Sequence, residues 1–309
     1  MTVNERSTPP RRSPNYGGRF GFGFFHWLIR LLGVRAAYVW LAFVAPYFVL
    51  LRPSARRSAS HYLKRRFPGR GPIWRFFTAI RYFYRFGQVL IDQGVIGIRG
   101  TNALRVDFPA ERELYERAHK RRGLVLLTSH VGGWQSAMAC MRFLDLPVHF
   151  QFKREAHTEG RHFFDLAGQS DAFRIVDPSG FLGGMVEMTN ALSAGECVSL
   201  MGDRAWGART LKTPFLGQPA AFPISPYHLA VVTGAGLVAL LTVRTGKLSY
   251  RIESLCLTDG LDRERLSRDE AIAELLRRYA LFLERFLEKH PLMWFNFFDF
   301  WAEGKETFE

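Results

Sequence analysis

A histidine, His130, follows a short apolar run and precedes a pair of glycines. The run, Leu124–Thr128, has the composition of a buried strand, and Gly132 and Gly133 suit a turn that leads into a helix. His130 is therefore predicted at the carboxyl end of a strand, the edge at which open α/β sheets bind their ligands. An imidazole there can exchange a proton near neutral pH, although a strand-end histidine that only bonds nearby backbone has the same pattern.

Charged residues also follow two other predicted strands. Lys153, Arg154 and Glu155 come directly after one of them, and Asp203 and Arg204 end another. In a regularly wound parallel sheet these side chains lie at the same edge as the histidine. The cations could bind a phosphate or carboxylate of a substrate, or they could be ordinary solvated strand ends.

Neither a metal site nor a disulfide framework is predicted. His157 and His162 are five residues apart, a spacing that does not place both on one face of a helix, and further ligands are not obvious. The three cysteines, Cys140, Cys197 and Cys256, are odd in number, widely spaced and set among apolar neighbours. They fit reduced thiols in the core of a protein that faces a reducing compartment.

Strands and helices alternate from residue 124 onward. Strands are predicted at Leu124–Thr128, Val148–Phe152, Phe173–Val176, Cys197–Met201, Leu237–Val243 and Ser249–Ile252. Helices are predicted between them at about 132–144, 159–167, 181–192 and 225–233, with a long polar loop at about 202–224. A further amphipathic helix is predicted at 268–289, with Ser267 and Glu270 as its capping box. This order predicts an α/β fold, with a mainly parallel central sheet flanked by helices in an αβα arrangement.

The positive charge is concentrated at the amino-terminal end. Residues 1–85 contain sixteen Lys or Arg and one acid, Glu5, and carry +15, whereas the other 224 residues carry about −1, which gives the formal net charge of +14. The first nineteen residues are proline-rich and basic, and we expect them to be disordered. Aromatic side chains alternate with arginines at 71–93. The aromatic side chains recur at helical spacing, so packing of one helix face against the next layer of the fold explains them better than nucleic-acid binding does.

The most apolar long segment is Phe20–Leu51, and a basic cluster from Arg52 to Arg70 follows it. Its uncharged part, Ala36–Leu51, is sixteen residues long, which is short of the roughly 20 residues of a membrane-spanning helix. Its Trp and Tyr side chains favour a membrane interface. We therefore expect a membrane-associating helix, lying in an anionic leaflet or forming a marginal span, with its basic side cytoplasmic; the alternative is a core helix of a soluble domain. The aromatic ending, 290–301, must likewise be buried or lie on a membrane.

Several blocks of the sequence, taken in order, resemble the lysophospholipid acyltransferase superfamily, and more closely its lipid A biosynthesis (late) acyltransferase branch. After the basic amino-terminal segment they are TSHVGGWQ, FKREAH, LMGDRAWG, TPFLGQPAAFPISPYHLAVVTGAGLVAL and WFNFFDFW. The blocks extend over residues 20–301, and their order carries the resemblance more than any single block does.

This resemblance implies a membrane-associated αβα enzyme that moves an acyl chain from an acyl carrier protein or coenzyme A thioester to a hydroxyl of a glycolipid or lipid A-like acceptor. The thioester is then a co-substrate, and neither a bound cofactor nor a metal is implied. The implied substrate pocket is formed by Lys153, Arg154, Glu155, Asp203, Arg204 and Lys212. The expected partners are a lipid membrane, the thioester donor and the lipid acceptor, with no nucleic acid, and the expected location is the cytoplasmic face of the bacterial inner membrane.

The family motif is a histidine followed, after four intervening residues, by an aspartate or glutamate. A hydroxyl is a poor nucleophile at neutral pH, so a neutral imidazole must take its proton while a carboxylate orients and stabilises the ring. The resemblance gives His130 the role of general base, but position 135 is a glutamine. Gln135 could orient the ring as a neutral acceptor, or another carboxylate such as Glu155 or Asp203 could replace it. Otherwise the protein could be a catalytically degenerate lipid-binding or assembly protein.

Three regions are predicted along the chain. A disordered basic tail occupies 1–19, a membrane-associating helix and basic cluster occupy 20–70, and an acyltransferase domain occupies 71–309. The first two regions hold most of the excess positive charge, and the third holds the predicted sheet and the histidine motif.

Overall fold

The structure, a computed structural model, describes residues 19–120, 122–139, 141–151, 173–204 and 209–302. In these ranges the α-helices are α1 (Arg19–Leu51), α2 (Pro53–Arg66), α3 (Pro72–Arg99), α4 (Glu111–Ala118), α5 (Trp134–Ala139), α6 (Met185–Ser193), α7 (Ser225–Thr233) and α8 (Arg268–Lys289). Short 3₁₀ turns occur at Thr101–Ala103, Met141–Leu144 and Phe181–Gly184. The helices predicted at 225–233 and 268–289 are confirmed, and Ser267 and Glu270 form the predicted capping box of α8. The helix predicted at about 159–167 lies outside the described residues.

The strands confirm the predicted fold class. They are β1 (Arg105–Asp107), β2 (Leu124–Thr128), β3 (Val148–Gln151), β4 (Phe173–Val176), β5 (Cys197–Met201), β6 (Thr210–Phe215), β7 (Gln218–Pro223), β8 (Gly236–Gly246) and β9 (Ser249–Cys256). Seven of them form one sheet in the order β1-β9-β8-β2-β5-β3-β4. Neighbours in this sheet are parallel except β8 and β9, which form an antiparallel hairpin.

Both faces of the sheet are covered by helices. On β2, Val125 and Leu127 belong to one apolar cluster, which includes residues of α7, α8 and the aromatic ending of the chain. Leu124 and Leu126, which point to the opposite face, belong to a second cluster with residues of α4 and α5. The sheet is therefore the middle layer of an αβα arrangement, and β2 lies near its centre.

The segment predicted as a long polar loop contains a β-hairpin, so that prediction was wrong. β6 and β7 pair in antiparallel register along their whole length. Leu216 and Gly217 join them with φ values of 50° and 77°, as in a tight two-residue hairpin turn. Prolines interrupt the apolar alternation of both strands, since Pro214 lies opposite Pro219, and they conceal the usual strand pattern.

An apolar amino-terminal helix is present, as predicted. Among the described residues, α1 is the one helix that is long and apolar enough to cross a membrane, over Gly23–Leu51. Its helical geometry is interrupted at Gly33, which has φ 79° and ψ 172°. Leu28 and Leu41, on the two sides of this break, both belong to an apolar cluster that includes Val95 of α3.

A buried ion pair joins α1 and α3 to the β8–β9 hairpin. Asp92 on α3 is fully buried and accepts hydrogen bonds from Arg244 Nε at 2.7 Å and from the Tyr250 hydroxyl at 2.6 Å. The Tyr38 hydroxyl of α1 donates to the other carboxylate oxygen and accepts from Arg244 Nη2 at 2.8 Å. The network pairs both buried charges and fixes the two helices to the sheet.

Replacing Asp92 by alanine is expected to lower the free energy of unfolding by about 3–5 kcal/mol, because it leaves the buried Arg244 guanidinium without an opposite charge. Urea unfolding in detergent, followed by circular dichroism, measures this loss. Asp107→Ala is the matched control, since Asp107 pairs with Arg251 at 3.4 Å on an exposed edge, and its cost should stay below about 1 kcal/mol. Equal losses for the two variants would contradict the prediction.

Candidate active site

The register of two neighbouring strands brings His130 and Asp203 together. β2 and β5 are parallel, and Thr128 lies opposite Met201 at the last pair of the ladder. His130 and Asp203 each follow that pair by two residues. Both side chains therefore lie at the carboxyl edge of the sheet, next to each other.

His130 and Asp203 form a histidine–carboxylate pair. Asp203 Oδ1 lies 2.9 Å from His130 Nδ1, and Oδ2 accepts a hydrogen bond from the His130 backbone N–H at 2.8 Å. Trp294 Nε1 donates a further bond to Oδ2 at 2.8 Å. The Asp203 side chain is 1% exposed and that of His130 is 20% exposed. The carboxylate is thus held behind the ring, and the imidazole retains access from outside.

Burial and nearby charges set the protonation of this pair. Burial lowers the pKa of the His130 imidazole, and so does the Arg204 cation, while Asp203 opposes both to a smaller extent. Burial alone would raise the pKa of the Asp203 carboxyl, but His130, the Trp294 indole and Arg204 together hold it below its usual value. The carboxylate is therefore ionised and the imidazole neutral at pH 7. Because an ionised carboxylate only accepts hydrogen bonds, Nδ1 carries the ring proton and Nε2 keeps a lone pair.

The turn after His130 depends on glycine. Gly132 has a φ of 52°, and a Cβ at this position would lie 2.0 Å from the carbonyl oxygen of Thr242. A Cβ on Gly133 would in turn meet the ring of Tyr250 at 2.4 Å. The backbone can therefore turn sharply from β2 into α5 only without side chains here, which fixes the direction of His130.

The segment that follows α8 completes the site. The backbone N–H of Phe295 donates to the His130 carbonyl, and the N–H of Gly132 donates to the Met293 carbonyl, each at 2.7 Å. Trp294 thereby lies opposite Val131 in a short antiparallel bridge, with its indole on Asp203. The aromatic ending was predicted to be buried or on a membrane, and Trp294, with Phe295 beside it, is buried against the sheet.

Gln135 does not hold His130, contrary to the interpretation of Gln135 as the orienting residue. Its side chain lies in the first turn of α5, where its amide oxygen accepts a hydrogen bond from Gln93 Nε2 of α3. His130 Nδ1 is occupied by Asp203 instead. Of the alternatives open at the sequence level, the geometry matches replacement of the motif acid by Asp203.

The other predicted site residues have different outcomes. Asp203, predicted as a pocket residue, is buried behind His130. Arg204 is adjacent to the pair, with its guanidinium 5.4 Å from the centre of the Phe298 ring. Lys212 lies on β6 with its side chain exposed. Lys153, Arg154 and Glu155 lie outside the described residues, as do His157, His162 and Cys140.

Sequence reasoning missed Trp294 and Tyr279 as individual site residues. The Tyr279 hydroxyl, on α8, lies 2.6 Å from Ser129 Oγ, one residue before His130. Trp294 was noticed only as part of an aromatic block. No spacing rule connects either residue to position 130, because both arrive through the tertiary packing of the carboxyl-terminal elements.

Comparison with known proteins identifies the family of the chain. No curated protein matches the chain. The model of the family described as bacterial lipid A biosynthesis acyltransferase matches residues 5–302, which includes the His130 turn, the Asp203 strand end and the Trp294 segment. The chain therefore belongs to the bacterial lipid A biosynthesis acyltransferase family and is an acyltransferase.

Proposed function

We propose that this protein transfers a fatty acyl chain from an acyl carrier protein or coenzyme A thioester to a hydroxyl of a glycolipid or lipid A-like acceptor, with His130 as general base. The family supplies the reaction class and the class of acceptor. The observation that carries the residue assignment is the 2.9 Å contact between His130 Nδ1 and the buried Asp203 carboxylate.

In the proposed reaction, His130 Nε2 takes the proton of the acceptor hydroxyl while its oxygen attacks the thioester carbonyl carbon. Asp203 holds the reactive tautomer and stabilises the imidazolium that forms. When the tetrahedral intermediate collapses, the carbon–sulfur bond breaks and the imidazolium gives its proton to the departing thiolate. The products are an ester and a free thiol, and His130 is again neutral. Arg204, beside the pair, supplies positive charge that suits an acceptor phosphate or the developing oxyanion.

We place the reaction at the cytoplasmic face of the inner membrane. Both candidate donors are soluble thioesters, whereas the acceptor class is a membrane lipid, so the enzyme must work at an interface. Support comes from the exposed apolar surface of α1 and from the basic residues Arg52, Arg56 and Arg57, which are exposed immediately after it.

Lipid mass spectrometry of cells with and without the protein tests this function. We expect a lipid lighter by one acyl chain to accumulate in cells that lack the protein. Purified protein should then restore the missing acyl mass to lipid extracted from those cells, and assays with acyl carrier protein and coenzyme A thioesters will identify the donor. Unchanged cellular lipids, together with no transfer from either donor, would contradict the proposal.

Substitution of Gln135 is expected to change turnover little. Gln135→Ala removes one amide hydrogen bond to Gln93, worth about 1 kcal/mol, and leaves the Asp203 contact intact. We therefore expect kcat within about tenfold of the wild-type value, measured as steady-state acyl transfer.

Gln135→Glu separates this proposal from a catalytically degenerate protein. If Asp203 is the working carboxylate, an added acid at position 135 should give no large gain. Activity that appears only in Gln135→Glu, from an inactive wild-type protein, would favour the degenerate interpretation and contradict the role assigned to Asp203.

A further inference from the structure

The break at Gly33 changes the direction of α1. The rings of Phe24 and Trp40 lie 5.7 Å apart, although sixteen residues separate them. In a straight α-helix that separation would be about 24 Å. The two parts of α1, residues 19–32 and 34–51, therefore fold back on each other as a helical hairpin, with Gly33 at its turn.

Both limbs of this hairpin are shorter than the roughly 20-residue helix that usually crosses a bilayer. At 1.5 Å per residue the limbs measure about 21 and 27 Å, against a hydrocarbon thickness of about 30 Å. The limbs are also held in place by the rest of the protein. Leu41 of the second limb packs against Gly87 of α3, and Ile29 of the first limb lies against Gly94 of the same helix. Straightening α1 into one span would pull one limb away from α3 and break one of these contacts.

The outer surface of the hairpin is apolar on both limbs. Exposed side chains include Trp27, Leu31, Val39, Trp40, Phe43 and Leu50. The exposed rings are contiguous across the two limbs, because Trp40 contacts Phe24 on one side and Phe43, at 6.1 Å, on the other. An apolar surface of this kind on a soluble face would promote association, and it indicates a covering partner.

Charge identifies that partner as an anionic lipid surface. Arg30 and Arg35 flank the turn of the hairpin, and both are exposed. A turn inserted deep into the hydrocarbon would bury both cations at high cost, whereas limbs lying along the interface keep them among the headgroups. Exposed cations at the start of α2, Arg52 and Arg56 among them, add positive charge at the other end of the second limb.

We propose that the α1 hairpin is a monotopic anchor, which lies in the interface of one leaflet of an anionic membrane and does not span it. The inference deepens the proposed function, since it states how a lipid acceptor and this enzyme meet. α3, on which the hairpin packs, also contacts α5 through the Gln93–Gln135 bond, so the anchor rests on the helix that adjoins the active-site turn.

Vesicle flotation with the full-length protein tests the surface. Phe43 is 67% exposed on the hairpin, and Phe181 is 81% exposed elsewhere, on the sequence between β4 and α6. Phe43→Glu should lower binding to phosphatidylcholine–phosphatidylglycerol vesicles by about tenfold or more, and Phe181→Glu should leave it unchanged. Val39→Glu, on the same limb, replaces Phe43→Glu if that variant folds poorly. Wild-type binding should also weaken on vesicles of phosphatidylcholine alone.

A labelling experiment distinguishes a hairpin from a span. Gly21→Cys and Leu51→Cys place thiols near the two ends of α1, and the parent chain serves as the labelling blank. In sealed vesicles with externally bound protein, an impermeant maleimide should label both positions. If one position is labelled only after the vesicles are opened, α1 spans the membrane and the proposal is overturned.

Two other outcomes would also overturn it. If Phe43→Glu and the wild type bind vesicles equally, the hairpin is not the surface that contacts the membrane. A wild-type dimer that Phe43→Glu dissociates, without any vesicle binding, would assign the surface to a second copy of the chain. Acyl transfer to detergent-solubilised acceptor is measured separately. If the wild-type protein shows no transfer, the proposed function fails, whereas vesicle flotation still tests the anchor.

Discussion

His130→Ala should lose acyl transfer by about four orders of magnitude in kcat. This is the upper end of the range for one acid–base residue, and it is expected here because the same imidazole first accepts the hydroxyl proton and then returns it to the thiolate. The Asp203–Trp294 bond does not depend on the imidazole, and the backbone N–H of position 130 still donates to Asp203. The variant should therefore fold with an unchanged circular dichroism spectrum.

The measurement is single-turnover transfer from a labelled thioester donor. His228→Ala is a suitable control, since His228 lies on α7 and takes no part in the histidine–carboxylate pair. Wild-type turnover in His130→Ala would eliminate this residue as the base. Comparable losses in His130→Ala and His228→Ala would point to a general effect on folding.

Asp203→Asn should lower kcat by about 10³ to 10⁴ while changing KM little. The corresponding acid-to-amide change in the serine-protease triad, a worked example from an unrelated enzyme, has an effect of this size because the ring is held in the wrong tautomer. In this protein an amide nitrogen facing Nδ1 would donate to it, so that the proton moves to Nε2 and the base is lost. In the proposed mechanism Asp203 is therefore a positioning residue, which acts through His130.

The pH profile separates this role from a purely structural one. The proposed mechanism requires a neutral His130, so kcat should fall as the pH drops through the pKa of the imidazole, which burial and Arg204 place below its usual value. Asp203 raises that pKa, and its removal should move the acid limb of the residual activity to still lower pH. If the activity of Asp203→Asn falls at the same acidic pH as that of the wild type, the ionisations of Asp203 and His130 are not coupled.

The fold class and the position of His130 could be predicted because both depend on local pattern. The apolar run of β2, the glycines after it and the repeated alternation of strands and helices are properties of neighbouring residues. The carboxyl-edge rule then placed Asp203 near the histidine without any knowledge of strand order.

The partner of His130 could not be chosen from sequence, because it depends on which strands are neighbours. β5 follows β4 along the chain, yet it lies between β2 and β3 in the sheet. Family resemblance pointed to position 135 instead, where the side chain bonds to Gln93 of α3. The hairpin in α1 was concealed for a similar reason, since a glycine within an apolar run is compatible with a continuous helix. The φ of Gly33 and the contact between the Phe24 and Trp40 rings reveal the turn.

The Trp294 bond to Asp203 also has a consequence for the order in which the enzyme is made. Trp294 follows Asp203 by 91 residues, and the α1 hairpin precedes both. During synthesis, elements near the amino terminus emerge from the ribosome first and can fold first. A nascent chain can thus form the α1 hairpin while the carboxylate still lacks its indole donor and the His130 carbonyl lacks the Phe295 N–H. In the order of synthesis, the segment that completes the histidine–carboxylate pair therefore comes long after the hairpin that we propose as the membrane anchor.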